Sequence, residues 1–390
     1  MNIGCKEESM ISPHCRKPKL LASDLNITIG DNLQLCLELP PHKSRRLITE
    51  SMKAARFFGA ETPLKIMDVE VPQISNKEVL VKVKAAGVCH TDLHFLDGTL
   101  KPWKGSLPMT LGHEISGEVV ETGKGVKTFR KKDRVVLNNG ISCGKCIYCK
   151  SGRENLCNDF DQLGFTLDGG YAEYVKAPQA ALIKLPKNID YGEGSLLPCG
   201  VAACYHAMFD IANLKRGETL LVNGSGGLGL SAIQLANTVG AKTIAVDVVD
   251  EKLETARKLG AEVVNANNQN VPESVKKITG GQGADVALEL VGASTTMRNA
   301  LSSLRKTGRY AILGYTKDNL EANVLNLVVA ETEIRGVVAY TKKDLLAVVR
   351  LAQQRKLKPI IGRKYALGEI DSALDSLRHG AVQGRSIVVP

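Results

Sequence analysis

The stretch "TLLVNGSGGLGLSAIQLANTV", Thr219 to Val239, constrains the fold more than any other part of the chain. A short apolar run, Thr219 to Asn223, stops at Gly224-Ser225-Gly226-Gly227-Leu228-Gly229. Leu230, Ile233, Gln234 and Ala236 then follow at helical spacing. Strand, glycine turn and helix in direct succession open a βαβ unit, and the glycines let backbone N–H groups and the helix N-terminus meet a pyrophosphate. A second strand, Thr243 to Val246, ends on Asp247, 18 residues after Gly229. A carboxylate there accepts hydrogen bonds from both hydroxyls of an adenosine ribose. A 2′-phosphate would meet that charge with no adjacent arginine, because Val248 and Val249 follow. The pattern therefore predicts NAD rather than NADP. It continues through "AEVVNA", "ADVALELVG", "GRYAILG" and "EIRGVVA", with helical stretches such as "TTMRNALSSLRK" between most of them. The expected architecture is α/β, a doubly wound sheet of about six parallel strands with helices on both faces.

Upstream, "CGKCIYCKSGRENLC" sets Cys143, Cys146, Cys149 and Cys157 at spacings of three, three and eight. Each Cys-x-x-Cys step lets two thiolates converge on one ion, which suits tetrahedral zinc with four sulfurs. An iron–sulfur cluster uses related spacing, but its fourth cysteine is often followed by proline, and here Asn158 follows. A redox Cys-x-x-Cys is usually single. Four thiolates leave no open coordination position, so the expected role is structural.

A second cysteine-containing stretch, "VLVKVKAAGVCHTDLHF", begins as an alternating strand and then delivers Cys89, His90, Thr91, Asp92 and His94 within six positions. By itself it reads equally well as a polar surface loop. "LGHEISGEVVETGKGV" adds His113 and Glu114 ahead of another alternating pattern, with Gly112 permitting a tight approach. "GSLLPCGVAACYHAM" adds Cys199 in a Pro-Cys-Gly turn leading into a helix. Each alone has an ordinary structural explanation. Together Cys89, His113 and Cys199 form a two-thiolate, one-imidazole set, and catalytic zinc sites use three protein ligands of this kind with a fourth position for water or substrate.

These motifs, in this order, resemble the zinc-dependent medium-chain alcohol dehydrogenases over essentially all of Met52 to Pro390. Gly112 through Val126 fits the family's zinc signature, G-H-E-x2-G-x5-G-x2-V. The resemblance implies a β-rich GroES-like catalytic domain (52–200 and 338–390) and a Rossmann NAD-binding domain (201–337). It implies two zinc ions, NAD and reversible hydride transfer between a primary or secondary alcohol and an aldehyde or ketone. Cys89, His113 and Cys199 then correspond to the catalytic zinc ligands, and Glu114 to a nearby carboxylate that exchanges onto the metal. Asp92 corresponds to the acid that orients the ligand histidine, and Thr91 and His94 to the proton relay. His90 and Arg385 correspond to residues contacting the cofactor phosphates, Lys252 to a basic residue near the adenosine ribose, and Leu313 to a further cofactor contact. One departure stands out: where the family commonly has a threonine against the nicotinamide, this chain has Ala203 beside Cys204. Trp103, Phe95, Leu96 and Tyr315 are candidates for an apolar substrate pocket. Polyol or threonine dehydrogenases, and zinc-free enone or quinone reductases, are the alternatives within the same superfamily.

Composition bounds the rest. The chain of 390 residues is 44% hydrophobic and 24% charged, without an apolar run of membrane-spanning length. Its net charge of +10 raises nucleic acid as a partner, but Lys and Arg are dispersed among Asp and Glu. Even the densest basic patch, "KTFRKKDR", contains an acid. Ten clustered cysteines in a large chain without a secretory signal point to metal in a reducing compartment, the cytoplasm. The expected partners are a small alcohol or aldehyde and further copies of the chain, as a dimer or tetramer, with neither nucleic acid nor membrane. Residues 1–51 lack sustained periodicity and read as a disordered tail or as sequence preceding a true start at Met52.

Overall fold

The computed structural model describes residues 51–105 and 107–390. The expectation for the N-terminal extension therefore lies outside the described residues, except at Ser51, which opens a strand, Ser51–Phe57, paired with Lys65–Glu70. No helix among the described residues is long and apolar enough to cross a membrane.

The strand Thr219–Asn223 and the helix Gly227–Val239 stand where the sequence pattern puts them. Gly224 turns the chain with φ +99°, and Gly229 lies so close beneath it that a Cβ would sit 2.0 Å from the Gly224 carbonyl oxygen. Only glycine fits there. The six-stranded sheet runs in the order Glu262–Asn265, Lys242–Asp247, Thr219–Asn223, Ala284–Glu289, Leu304–Ile312 and Glu333–Gly336, with every pairing parallel. Strand order reverses between Thr219–Asn223 and Ala284–Glu289. In doubly wound sheets ligands bind in the crevice beyond the strand ends at such a point.

A second, seven-stranded sheet carries the cysteine and histidine loops. Its order is Leu182–Lys184, Arg134–Leu137, Glu114–Thr122, Glu78–Gly87, Arg385–Val389 and Ile361–Ala366, and Tyr174–Pro178 also pairs with Glu78–Gly87. Three of these strands meet at Gly87, which stands opposite Glu114 on one side and Ile387 on the other. That register brings Cys89, His113 and Arg385 to one edge, although they come from three distant parts of the chain. The C-terminal strand thus returns to the seven-stranded sheet and not to the parallel one.

The segment expected as a Pro-Cys-Gly turn is different. Residues 191–211 form one continuous helical rod in which α-helical turns, Tyr191–Leu196 and Ala203–Tyr205, alternate with wider π-helical turns, Leu197–Ala202 and His206–Ile211. Pro198 lies in the first widened turn, and it lacks an N–H and crowds the preceding carbonyl, so regular α-helical bonding is interrupted there. The rod is tied at its far end by a buried joint. His206 Nδ1 lies 2.9 Å from Asp344 Oδ2 and 3.4 Å from Asp210 Oδ2, and Asp344 also accepts from the Thr341 amide and hydroxyl, capping the helix Lys342–Gln353. Glu154 accepts from the Lys342 amide, linking the four-cysteine lobe to the same helix.

Candidate active site

Two cysteine clusters assemble, the lobe as its spacing suggests and the second as the residue types of its members suggest. In the lobe, Cys143 and Cys149 sulfurs are 4.0 Å apart, Cys146 and Cys149 3.5 Å, and Cys146 and Cys157 3.9 Å. A tetrahedral zinc with sulfurs at about 2.3 Å separates them by about 3.8 Å, so the four thiols fit one ion. Backbone N–H groups of Cys149 and Asn158 aimed at Cys146 hold its thiol down at about 6, whereas burial pushes Cys157 up to about 11. Thiolates are the form a metal requires.

At the edge beside Gly87, the donor atoms of Cys89, His113, Glu114 and Cys199 lie within 4.8 Å of one another. Cys89 and Cys199 sulfurs are 3.9 Å apart, the separation one zinc requires. The Cys199 thiol holds Cys89 well below the ordinary thiol range, and its own thiol is correspondingly raised. The His113 ring is buried, packed edge-on to Phe165, with Nδ1 3.4 Å from Asp92 Oδ1 and Nε2 lacking any protein partner. A buried ring nitrogen without a partner is costly unless something binds it, and a ligand histidine whose other nitrogen faces a carboxylate is the expected arrangement around zinc.

Asp92 organises this corner. It is fully buried, and Oδ2 accepts from the Cys89 amide at 3.0 Å and from the Tyr171 hydroxyl at 2.6 Å. Tyr171 in turn packs against Gly112, where a Cβ would meet its ring at 2.7 Å. Tyr171 was invisible as a functional residue in the sequence, since nothing local links it to a loop 79 residues away. Thr91 Oγ1 lies 3.6 Å from Cys89 Sγ, and His94 follows one turn later on the short helix His90–Leu96. The His94 ring stacks on Tyr315, centroids 4.8 Å apart, and its buried Nδ1 has no hydrogen-bond partner.

Glu114 and Arg385 form a buried ion pair, Arg385 Nη2 donating to Glu114 Oε1. Burial raises the Glu114 carboxyl to about 7 even with that guanidinium beside it. In the chain by itself the Arg385 guanidinium, expected at the cofactor phosphates, rests on Glu114. Its side chain nevertheless runs along the glycine turn: a Cβ on Gly227 would sit 2.0 Å from Arg385 Cγ.

On the crevice side, Gly226 faces open space, with no atom within 4 Å of an added Cβ, as a turn that must admit a pyrophosphate requires. Asp247 is pinned by the amides of Ser225 at 2.7 Å, Val248 at 2.8 Å and Val249 at 3.1 Å. Leu313 follows the strand Leu304–Ile312 and donates its amide to the Glu289 carbonyl. Lys252 is half-buried on the helix Asp250–Lys258, and His90 is exposed. Ala203 is buried in the core, and the Cys204 thiol donates to the Leu228 carbonyl at 3.4 Å, so this part of the rod packs directly behind the fingerprint helix. Of the pocket candidates, Phe95 is fully buried core and Leu96 packs against that core. Trp103 is exposed, its indole N–H on the Phe160 carbonyl. Tyr315 alone stands beside the reactive cluster.

Asp92→Ala leaves the Cys89 amide without an acceptor, at a cost of about 1–3 kcal/mol when buried, and leaves the Tyr171 hydroxyl only the Gly87 carbonyl at 3.2 Å. Thermal unfolding of the metal-free protein should show a clear loss for Asp92→Ala and a smaller one for Tyr171→Phe, which removes one donor only. Equal Tm values for wild type and Asp92→Ala would contradict this reading of the corner.

Comparison with known proteins agrees with this geometry. Residues 75–187 match the alcohol dehydrogenase GroES-like domain and residues 227–354 the zinc-binding dehydrogenase domain. An NAD-dependent alcohol dehydrogenase of Sulfolobus acidocaldarius is 37% identical over 86% of this chain and 99% of its own length. A sorbitol dehydrogenase of Bacillus subtilis is 34% identical over 84% of this chain and 94% of its own length. The crystal structure of the alcohol dehydrogenase from Aeropyrum pernix superposes with a TM-score of 0.82 at 34% identity, over 87% of this chain and all of that one. With its glycine turn at the strand-order reversal and its cysteine–histidine cluster beside it, the chain belongs to the zinc-binding, GroES-like alcohol dehydrogenase family.

Proposed function

We propose that this chain is a zinc-dependent alcohol dehydrogenase that transfers hydride reversibly between a primary or secondary alcohol and NAD. The observation that carries the reading is the Arg385 side chain, which lies against the fingerprint glycine Gly227 and ends on Glu114 of the metal-ligand cluster. The cofactor turn and the cluster therefore share one wall, as hydride transfer over a metal demands. We assign 52–200 and 338–390 to the catalytic domain and 201–337 to the cofactor domain.

Zinc held by Cys89, His113 and Cys199 would supply Lewis acidity to the substrate oxygen, and NAD lying over Gly226 would accept the hydride. The chain's own residues do the remaining work. Asp92 fixes the Cys89 backbone and faces His113, so two of the three ligands are oriented by one carboxylate. The Thr91 hydroxyl accepts the proton of the substrate hydroxyl as it releases its own, and the His94 imidazole takes up that released proton and carries it outward. Asp247 holds the adenosine ribose and repels a 2′-phosphate. Cys143, Cys146, Cys149 and Cys157 hold a second zinc that organises their lobe.

The same chain presents a surface suited to a second copy. The helix Val324–Ala330 buries none of its residues, and Val324, Leu325, Val328 and Val329 are 72%, 67%, 65% and 60% exposed. Beside it, among the described residues, Glu333–Gly336 is the outermost strand of the parallel sheet, with one edge unpaired. Apolar surface next to an open edge favours association. The strand is self-complementary: antiparallel pairing about a twofold axis at Ile334 sets Glu333 of one copy across from Arg335 of the other.

Purified enzyme supplied with NAD and a panel of primary, secondary and polyhydric alcohols should produce NADH most efficiently with simple alcohols, and kcat/KM should favour NAD over NADP. Asp247→Gly should erode that preference. A best substrate among polyols would move the assignment toward the sorbitol dehydrogenase-like branch, and a wild-type preference for NADP would contradict the role of Asp247. In sedimentation, wild type should run as a dimer or larger. Arg335→Glu should weaken that assembly and Glu333→Arg with Arg335→Glu should restore it; a monomeric wild type would remove this surface as the interface.

A further inference from the structure

The Tyr315 ring reaches from the segment after the cofactor-sheet strand Leu304–Ile312 to the helix carrying Thr91 and His94. Its backbone is tightly held. A Cβ on Gly292 would lie 2.5 Å from Tyr315 Cα, and the next residue, Thr316, donates its hydroxyl to the Gly292 carbonyl at 2.9 Å. The 290–296 segment is fixed in turn by the buried carboxylate of Glu289, whose Oε1 accepts from the Val291 and Gly292 amides at 2.8 Å each and from the Thr296 hydroxyl at 3.2 Å. Tyr315 therefore projects from a rigid mount, although its own side chain is half-exposed.

What it projects onto is the relay. Its ring stacks on His94 with centroids 4.8 Å apart and an interplanar angle of 29°. His94 has little else to hold it: Asp97 is 4.0 Å away, and its buried Nδ1 has no hydrogen-bond partner. An imidazole that must pass a proton from a neighbouring hydroxyl needs a defined ring plane, since proton transfer requires hydrogen-bond reach and alignment. Stacking on a ring anchored elsewhere supplies that plane.

We infer that Tyr315 is a positioning residue of the reaction, a fixed aromatic post from the cofactor domain that holds the His94 ring in line with Thr91. This rests on the proposed alcohol dehydrogenase activity, but the arrangement has a physical signature independent of it. In protein labelled at its histidines, the His94 ring signal, identified by its loss in His94→Gln, should carry a ring-current shift that disappears in Tyr315→Ala and persists in Tyr315→Phe. In the assay, Tyr315→Ala should lower kcat for alcohol oxidation by about tenfold, the scale of coupling between residues in contact. Tyr315→Phe, which keeps the ring, should stay within about threefold, and added imidazole should restore part of the loss in Tyr315→Ala. In a His94→Ala background, Tyr315→Ala should have no further effect, because a post acting through His94 has nothing left to hold. Independent, multiplicative losses in the double variant would overturn the proposal, as would a His94 signal insensitive to Tyr315→Ala. A wild-type enzyme with no NAD-linked alcohol oxidation but an intact ring-current shift would instead overturn the proposed function and leave the post standing.

Discussion

The active corner depends on the absence of a side chain at Gly87. Three strands meet there, and the helical rod that leads to Cys199 packs across the junction. A Cβ on Gly87 would sit 2.0 Å from Glu114 Oε2 and 2.8 Å from Leu196 Cδ2. With glycine, the strands Glu78–Gly87, Glu114–Thr122 and Arg385–Val389 close on one another, and their ends deliver Cys89, His113 and Arg385 to one place. Any larger residue would force Glu114 and Leu196 to shift, and both stand against the ligand cluster or the rod that carries Cys199. The metal cluster is thus a consequence of sheet register before it is one of cysteine content.

The same corner shows how buried charge is handled. Asp92, Glu114 and Arg385 are all buried, and each is committed. Asp92 accepts two hydrogen bonds and faces His113, while Glu114 and Arg385 pair with each other. Buried charges without such partners cost several kcal/mol. His113 Nε2 and Glu114 Oε2 have no hydrogen-bond partner, and both belong to residues that join Cys89 and Cys199 in the ligand cluster. The second cysteine cluster differs in kind, because its four sulfurs complete a coordination sphere by themselves.

Features encoded locally were legible in the sequence. The glycine turn, the strand before it, the helix after it and Asp247 follow within 29 positions, Thr219 to Asp247, and the structure realises them with the predicted bounds nearly unchanged. The four cysteines of the lobe lie close in sequence and needed no long-range register. Cys89 and Cys199 are 110 residues apart, and residue type together with family resemblance linked them, whereas spacing could not. The Glu114–Arg385 pair spans 271 residues and left no mark on either local sequence; the expectation of Arg385 at a phosphate came from family resemblance alone. The widened helical turns around Cys199 were also hidden: Pro198 signals an interruption but equally suits a turn. Phe95, Trp103 and Tyr315 were indistinguishable as aromatic residues near a motif. Their different fates, core, surface and relay contact, are decided by tertiary packing alone.

The most direct test of this account is the metal content and ligation of each cysteine cluster. Protein expressed with ample zinc should contain two zinc ions per chain, and X-ray absorption should resolve one all-sulfur site and one with two sulfurs and lighter donors. Cys89→Ser should lose or weaken the mixed site and keep the all-sulfur one, and Cys146→Ser should do the reverse. One equivalent or fewer in the wild type, or full retention of both sites with full activity in Cys89→Ser, would contradict the claim that Cys89, His113 and Cys199 form the catalytic centre.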